Sequence, residues 1–173
     1  MKYLVKLFLL SMAVLLVSSP IDVQAERRDA DAFNHLITSP RSIYWQNNAT
    51  LSSHRNAFQN AINRSNQLNG IKFYSTNNDN LAQVRAYTMY GGGGNWGYWE
   101  RRSNYHYVAI SDSSTEGFST NQFRWVALHE IGHALGLVHQ RQSIASVMRS
   151  GGGPYSYTDY TNLDRRNLNW GYR

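Results

Sequence analysis

Between residues 51 and 68 the apolar positions Ala57, Phe58, Ala61, Ile62 and Leu68, joined by Ser65, recur at the spacing of an amphipathic helix, and Asn69-Gly70 ends the pattern. Upstream, residues 42–46 (SIYWQ) are β-branched and aromatic, and the runs at 71–75 and 83–90 have the same character, so each predicts a strand. Past the glycines at 91–94, residues 95–102 and 105–111 predict two more strands. The polar loop SDSSTEG then leads into an apolar-periodic helix from about Thr120, and a short last helix is expected over 161–168, ending before Gly171. The order is β, α, three or four β, α, loop, α. Neither a repeat nor a long internal linker divides it, so residues 40–173 read as one domain mixing α and β.

The first residues follow a different pattern. Lys2 and Lys6 precede an apolar run over 7–17, and the small-residue pattern Val23-Gln24-Ala25 follows, which predicts a signal peptide over residues 1–25. The run is shorter than the ~20 residues that a membrane span needs, so a product without a membrane anchor, secreted or periplasmic, is expected. Residues 26–39 are polar and lead to Pro40, as a short pro-segment or disordered N-terminus would.

Composition narrows the chemistry. The chain has 173 residues and no cysteine. That excludes disulfides, thiolate metal sites, a cysteine nucleophile and an N-terminal lipid anchor through Cys. The net charge of +6 falls by one when Lys2, Lys6 and Asp22 leave with the signal peptide. The remaining basic residues are scattered, as at Arg27-Arg28, Arg101-Arg102 and Arg165-Arg166, so they suit a solvated surface and predict no nucleic-acid partner. Asn48-Ala-Thr50 and Asn63-Arg-Ser65 match glycosylation acceptors, which matter only in a eukaryotic secretory pathway.

The informative segment is HEIGHALGLVH, residues 129–139. His129 and His133 are four apart and share one face of a helix, where both imidazoles can reach one metal ion. Glu130 is placed to reach a water on that metal without ligating it. His139 cannot belong to the same helix, because six residues on its side chain would point about 240° round and ~9 Å further along the axis. The chain must turn, and Gly136 supplies the turn through the left-handed conformation that ends helices. Three His and a Glu in this pattern fit a zinc site with three protein ligands and an open position for water.

This motif is similar to the extended zinc motif of the metzincin metallopeptidases, and the wording HEIGHALGL resembles the matrixin branch and its short bacterial relatives. The resemblance implies a Met-turn under the metal, and Met148 in SIASVMRS, nine residues after His139, is placed for it. It implies an α+β, zincin/metzincin-like fold: a twisted, mostly parallel five-stranded sheet with an antiparallel edge strand, two long helices, and a small C-terminal subdomain with a terminal helix. It also implies a secreted zinc endopeptidase with one catalytic Zn²⁺. In that reaction Glu130 takes a proton from the attacking water and passes it to the leaving amine. The substrate, a protein or peptide, would lie as a strand along residues 95–102. Residues 151–157, with Tyr155 or Tyr157, resemble by position the wall of the pocket beyond the scissile bond. A monomer is expected.

The chain also departs from the family. Ser150 stands where some metzincin branches have a tyrosine two residues after the Met, and a thiol-based latch is impossible. Latency would then fall to a carboxylate, Asp29 or Asp31, in the open metal position. His106 is isolated in sequence, and Asp112 and Glu116 give a structural Ca²⁺ little support. Two other functions remain open: an exported zincin-fold binding protein without turnover, which would not need Glu130, and a zinc hydrolase acting on peptidoglycan peptides.

Overall fold

A computed structural model describes residues 27–91, 93–151 and 157–173. The expected signal peptide and Tyr155 lie outside the described residues.

The β-branched and aromatic runs form five strands: β1 (Ile43–Asn48), β2 (Phe73–Ser75), β3 (Val84–Met89), β4 (Gly97–Arg101) and β5 (His106–Ser111). They lie in the order β2-β1-β3-β5-β4. β1 runs parallel to β2 and β3, and β3 runs parallel to β5. β4 alone is antiparallel, pairing Gly97 with Ile110 and Arg101 with His106. The sheet is therefore mostly parallel with an antiparallel edge, as the resemblance implies.

Alternation shows which face is covered. In β3, Val84, Ala86 and Thr88 are buried while Arg85, Tyr87 and Met89 are half-exposed. The covering layer is two helices, α1 (Ser52–Ser65) and α2 (Thr120–Ala134), which pack on each other, α1 against β1 and β3, α2 against β4 and β5. All six positions of the predicted α1 stripe are buried. The helix ends at Ser65, earlier than its stripe, because Asn66 turns its side chain to β2: its carbonyl oxygen accepts from the Phe73 N–H at 2.6 Å. Leu68 is buried from the turn that follows. The other face carries tyrosines and arginines, with Tyr87 and Tyr107 stacked at 4.8 Å and Arg85 over Tyr105.

The closing helix α3 (Asn162–Gly171) starts at a capping box, Thr161 with Asp164, and runs past the predicted end at 168 to include Gly171. Tyr172 then donates its hydroxyl proton to the Leu135 carbonyl at 2.7 Å, tying the C-terminus to the end of α2. Residues 27–39 are folded onto this corner. Ala32 and Ile37 are buried, and a 3-10 turn at Asp29–Ala32 contacts α3. Among the described residues no helix is long and apolar enough to cross a membrane.

Candidate metal centre

Helix α2 begins with a capping box in which the Ser119 hydroxyl and the Gln122 amide satisfy each other's backbone N–H groups. That start sets the phase of the helix, so His129 and His133 emerge on the side facing β4. Its end is a Schellman motif: the Gly136 N–H donates to the His133 carbonyl at 2.8 Å and the Leu137 N–H to the Gly132 carbonyl at 2.9 Å. Gly136 has φ +89°, and a Cβ there would lie 2.0 Å from the His35 carbonyl oxygen. Both facts require glycine.

The turn brings the three imidazoles together. The Nε2 atoms of His129, His133 and His139 are each 3.1 Å from the other two. Nδ1 of His129 donates to the Val147 carbonyl at 2.7 Å, and Nδ1 of His133 to the Leu137 carbonyl at 2.8 Å. A carbonyl only accepts, so Nδ1 carries the proton in both rings and each Nε2 presents a lone pair to its neighbours. Converging lone pairs repel each other unless a cation lies among them. Tetrahedral zinc, with Zn–N of ~2.0–2.1 Å, needs its nitrogen ligands about 3.3 Å apart, close to the spacing found. Desolvation by burial holds His129 well below the ordinary histidine range and His133 down to about 4, each further lowered by a neighbouring imidazole. His139, at the cleft mouth, is lowered first by desolvation and then by Arg27. All three are therefore neutral near pH 7, as ligands must be. Among the described residues this is the one group of three or more metal-ligating side chains in such an arrangement.

Glu130 lines the same cleft and is buried, and desolvation raises its carboxyl to about 8. A divalent cation among the imidazoles would draw it back toward the ionised form. Its carboxyl presses on the edge strand, since a Cβ at Gly97 would stand 2.2 Å from Oε1. Met148 is fully buried under the helix, where a Cβ at Gly132 would meet its Sδ at 2.4 Å. The second and fourth residues of HEIGH thus depend on two features of the fold: Glu130 needs the bare backbone at Gly97, and Gly132 leaves room for Met148.

Several contributors escaped sequence reasoning. Trp99 stacks on His133 at 5.6 Å and donates its indole N–H to His106 Nδ1 at 3.2 Å. His106, isolated in sequence, also stacks on His35 at 4.9 Å and is held at about 4, mainly by desolvation. Asp164, buried on α3, accepts from the Val147 N–H at 2.9 Å and from the Ser146 hydroxyl, so it fixes the segment whose carbonyl orients His129. Gln140, next to His139, accepts from the Arg27 N–H at 2.9 Å and donates to the Arg27 carbonyl at 2.9 Å. One of these left a readable trace, the Thr-x-x-Asp capping pattern at 161–164, and so did Gly97 as a glycine inside a strand.

Other expected positions stand apart. Asp29 and Asp31 are exposed and belong neither to the histidine cluster nor to the cleft lining; Arg27 and Asn34 are the residues of this segment that line the cleft. Asp112 accepts from the backbone N–H groups of Ser113 and Gly91, which is a loop-capping role, and Glu116 is exposed. Tyr157 is half-buried against the core, outside the cleft lining.

Residues 24–164 match the protein family described as the dual-action HEIGH metallo-peptidases. The chain belongs to this metallopeptidase family. No curated protein sequence matches it. Among solved structures it is similar to myroilysin, at 17% identity and a TM-score of 0.56 over 79% of this chain and 95% of that one. A second crystal structure of myroilysin gives 16% identity and a TM-score of 0.60 over 80% and 86%. High choriolytic enzyme 1, a hatching-enzyme zinc protease from the medaka fish Oryzias latipes, gives 12% and 0.51 over 82% and 96%. At such identities these likenesses speak for the fold, and the metzincin-like α+β architecture of this HEIGH metallopeptidase is the one they share.

Proposed function

We propose that this metallopeptidase is an exported, matrixin-like zinc endopeptidase in which Glu130 is the general base. The observation that carries the reading is the convergence of three imidazole Nε2 atoms at 3.1 Å from one another, in one cleft with the Glu130 carboxyl. His129, His133 and His139 would hold the ion, and its chemistry there is that of a Lewis acid that polarises a carbonyl and acidifies water. The chain's own groups do the rest. The backbone of β4 and its approach, lining the cleft from Asn95 to Trp99, receives an extended peptide along an open edge. Glu130 accepts a proton from the attacking water and returns it to the leaving nitrogen. Trp99 and the Val147 and Leu137 carbonyls keep the imidazoles oriented.

Support for export is the charged and apolar pattern of residues 1–25. A binding protein without turnover has no use for a buried carboxyl beside the first ligand. The test compares metal content and casein cleavage in the wild type and in Glu130→Ala. One equivalent of zinc in both, with cleavage lost only in the variant, is expected. A wild-type protein without affinity for zinc would overturn the reading.

A further inference from the structure

His106 is buried, and the peptidase reading gives it no task. It opens β5 opposite Arg101 of the edge strand, so Trp99, two residues back along β4, is its diagonal neighbour on the same face of the sheet. There the Trp99 indole N–H donates to His106 Nδ1 at 3.2 Å. An indole N–H only donates, so Nδ1 presents its lone pair and the proton of the neutral ring sits on Nε2. Burial, with His35 and Arg101 adding to it, lowers this imidazole to about 4, which keeps it an acceptor near pH 7.

Trp99 lines the cleft and is half-buried, so packing holds only part of its ring. The hydrogen bond at the edge of the indole stops the ring from turning about its bond to Cβ. Its face then meets His133, with centroids 5.6 Å apart and planes 30° apart. His35 stacks on the same indole at 5.5 Å with planes 2° apart, and its Nε2 donates to the Ala134 carbonyl at 3.1 Å, one residue beyond His133. The Leu137 carbonyl thus holds the His133 ring at its edge, through Nδ1, and the indole holds it at its face. An electron-rich π face also favours an imidazole whose lone pair has gone to a cation, because that ring carries part of the positive charge.

We propose that His106 is a positioning residue for the metal: by accepting the Trp99 N–H it keeps the indole face on His133, and so keeps Nε2 of His133 aimed at the ion. This rests on the zinc reading above and extends it to a histidine outside the ligand cluster.

The test reads metal binding and leaves peptide cleavage aside: zinc affinity by chelator competition, and the visible absorption of the Co²⁺-substituted protein, which reports ligand geometry. His106→Leu keeps the bulk and removes the acceptor, and should lower zinc affinity about tenfold and shift the cobalt bands. His106→Asn, whose carbonyl oxygen can stand where Nδ1 stood, should restore most of the loss. Trp99→Phe keeps an aromatic face but has no N–H; it should lose as much as His106→Leu, and the double variant no more than either. Thermal unfolding of the metal-free forms checks folding, and Trp99→Phe carries the comparison should His106→Leu not fold. Wild-type affinity with an unchanged cobalt spectrum in His106→Leu or in Trp99→Phe would overturn the proposal and leave the three-histidine site standing. Equal losses in the Leu and Asn variants would overturn it too, since bulk and not the acceptor would then matter. A wild type that takes up neither metal would overturn the zinc reading itself, and this proposal with it.

Discussion

His129 and His133 sit on one rigid helix, their rings locked by backbone carbonyls of the segments beneath, whereas His139 sits beyond a turn at the cleft mouth and depends on contacts from far along the chain. The helix pair would keep its spacing in any setting that preserved α2. The third ligand is placed by Gly136 against His35, by the Asn34 N–H on the Gly136 carbonyl at 3.0 Å, by the Val138 N–H on the Ala32 carbonyl at 2.9 Å, and by Gln140 on Arg27. The difference is that a short motif sets two of the three histidines within one helix, while the third is also held by contacts from the N-terminal segment. Residues 27–39 thus pack against the turn and the segment that carry His139.

The comparison can be broken most severely at the turn. Gly136→Ala introduces a side chain at φ +89° and drives it into the His35 carbonyl. Strain and overpacking together should cost about 3–5 kcal/mol, a fall in Tm on the order of 10 °C, with zinc lost through His139. Calorimetry and metal analysis check this; a variant with wild-type zinc affinity would show that the turn does not place the third ligand. Gly97→Ala tests the helix side without touching a ligand. Its Cβ displaces the Glu130 carboxylate, so kcat/KM should drop about 100-fold while zinc content and Tm stay near wild type.

A milder perturbation separates the two arms again. Asn167 donates to the Arg27 carbonyl at 3.1 Å and accepts from the Asp29 N–H at 3.2 Å, so Gln140→Ala with Asn167→Ala frees the N-terminal segment. Zinc affinity, measured by chelator competition, should fall 10–100-fold, as for other outer supports of metal ligands. No change would mean that the turn alone suffices. The smallest effect is on pH dependence. His106, off the metal site, titrates near 4 when folded, and near 6.5 in an unfolded chain. Between those values the unfolded state binds the extra proton, so stability is lost as pH falls from about 6.5 toward 4. Its share of the slope is at most about 1.4 kcal/mol per pH unit. Urea unfolding of the metal-free protein should show a shallower slope in His106→Gln.

These contrasts also locate what can be read from sequence. The α1 stripe, a strand within residues 95–102 and both helix histidines were legible because helical and strand periods place them within a few residues of one another. The end of α1 was not, since Asn66 spends its side chain on β2. His106 read as isolated because its partners, His35 and Trp99, come from other elements. The latency carboxylates were inferred from charge, length and the absence of cysteine, and the residues of that segment that line the cleft are Arg27 and Asn34.

The sequence by itself determined the element order, the pair of histidines on one face of α2, the glutamate beside them and the glycine that ends the helix, because each follows from local backbone geometry. Only the tertiary structure decided that residues 27–39 support His139, that Asp164 fixes the carbonyl orienting His129, that Gly97 and Gly132 leave room for Glu130 and Met148, and that Arg27 and Asn34 reach the cleft. Those are contacts between segments far apart in the chain. They arise only when burial of the core brings the segments together, and no period in the sequence records them.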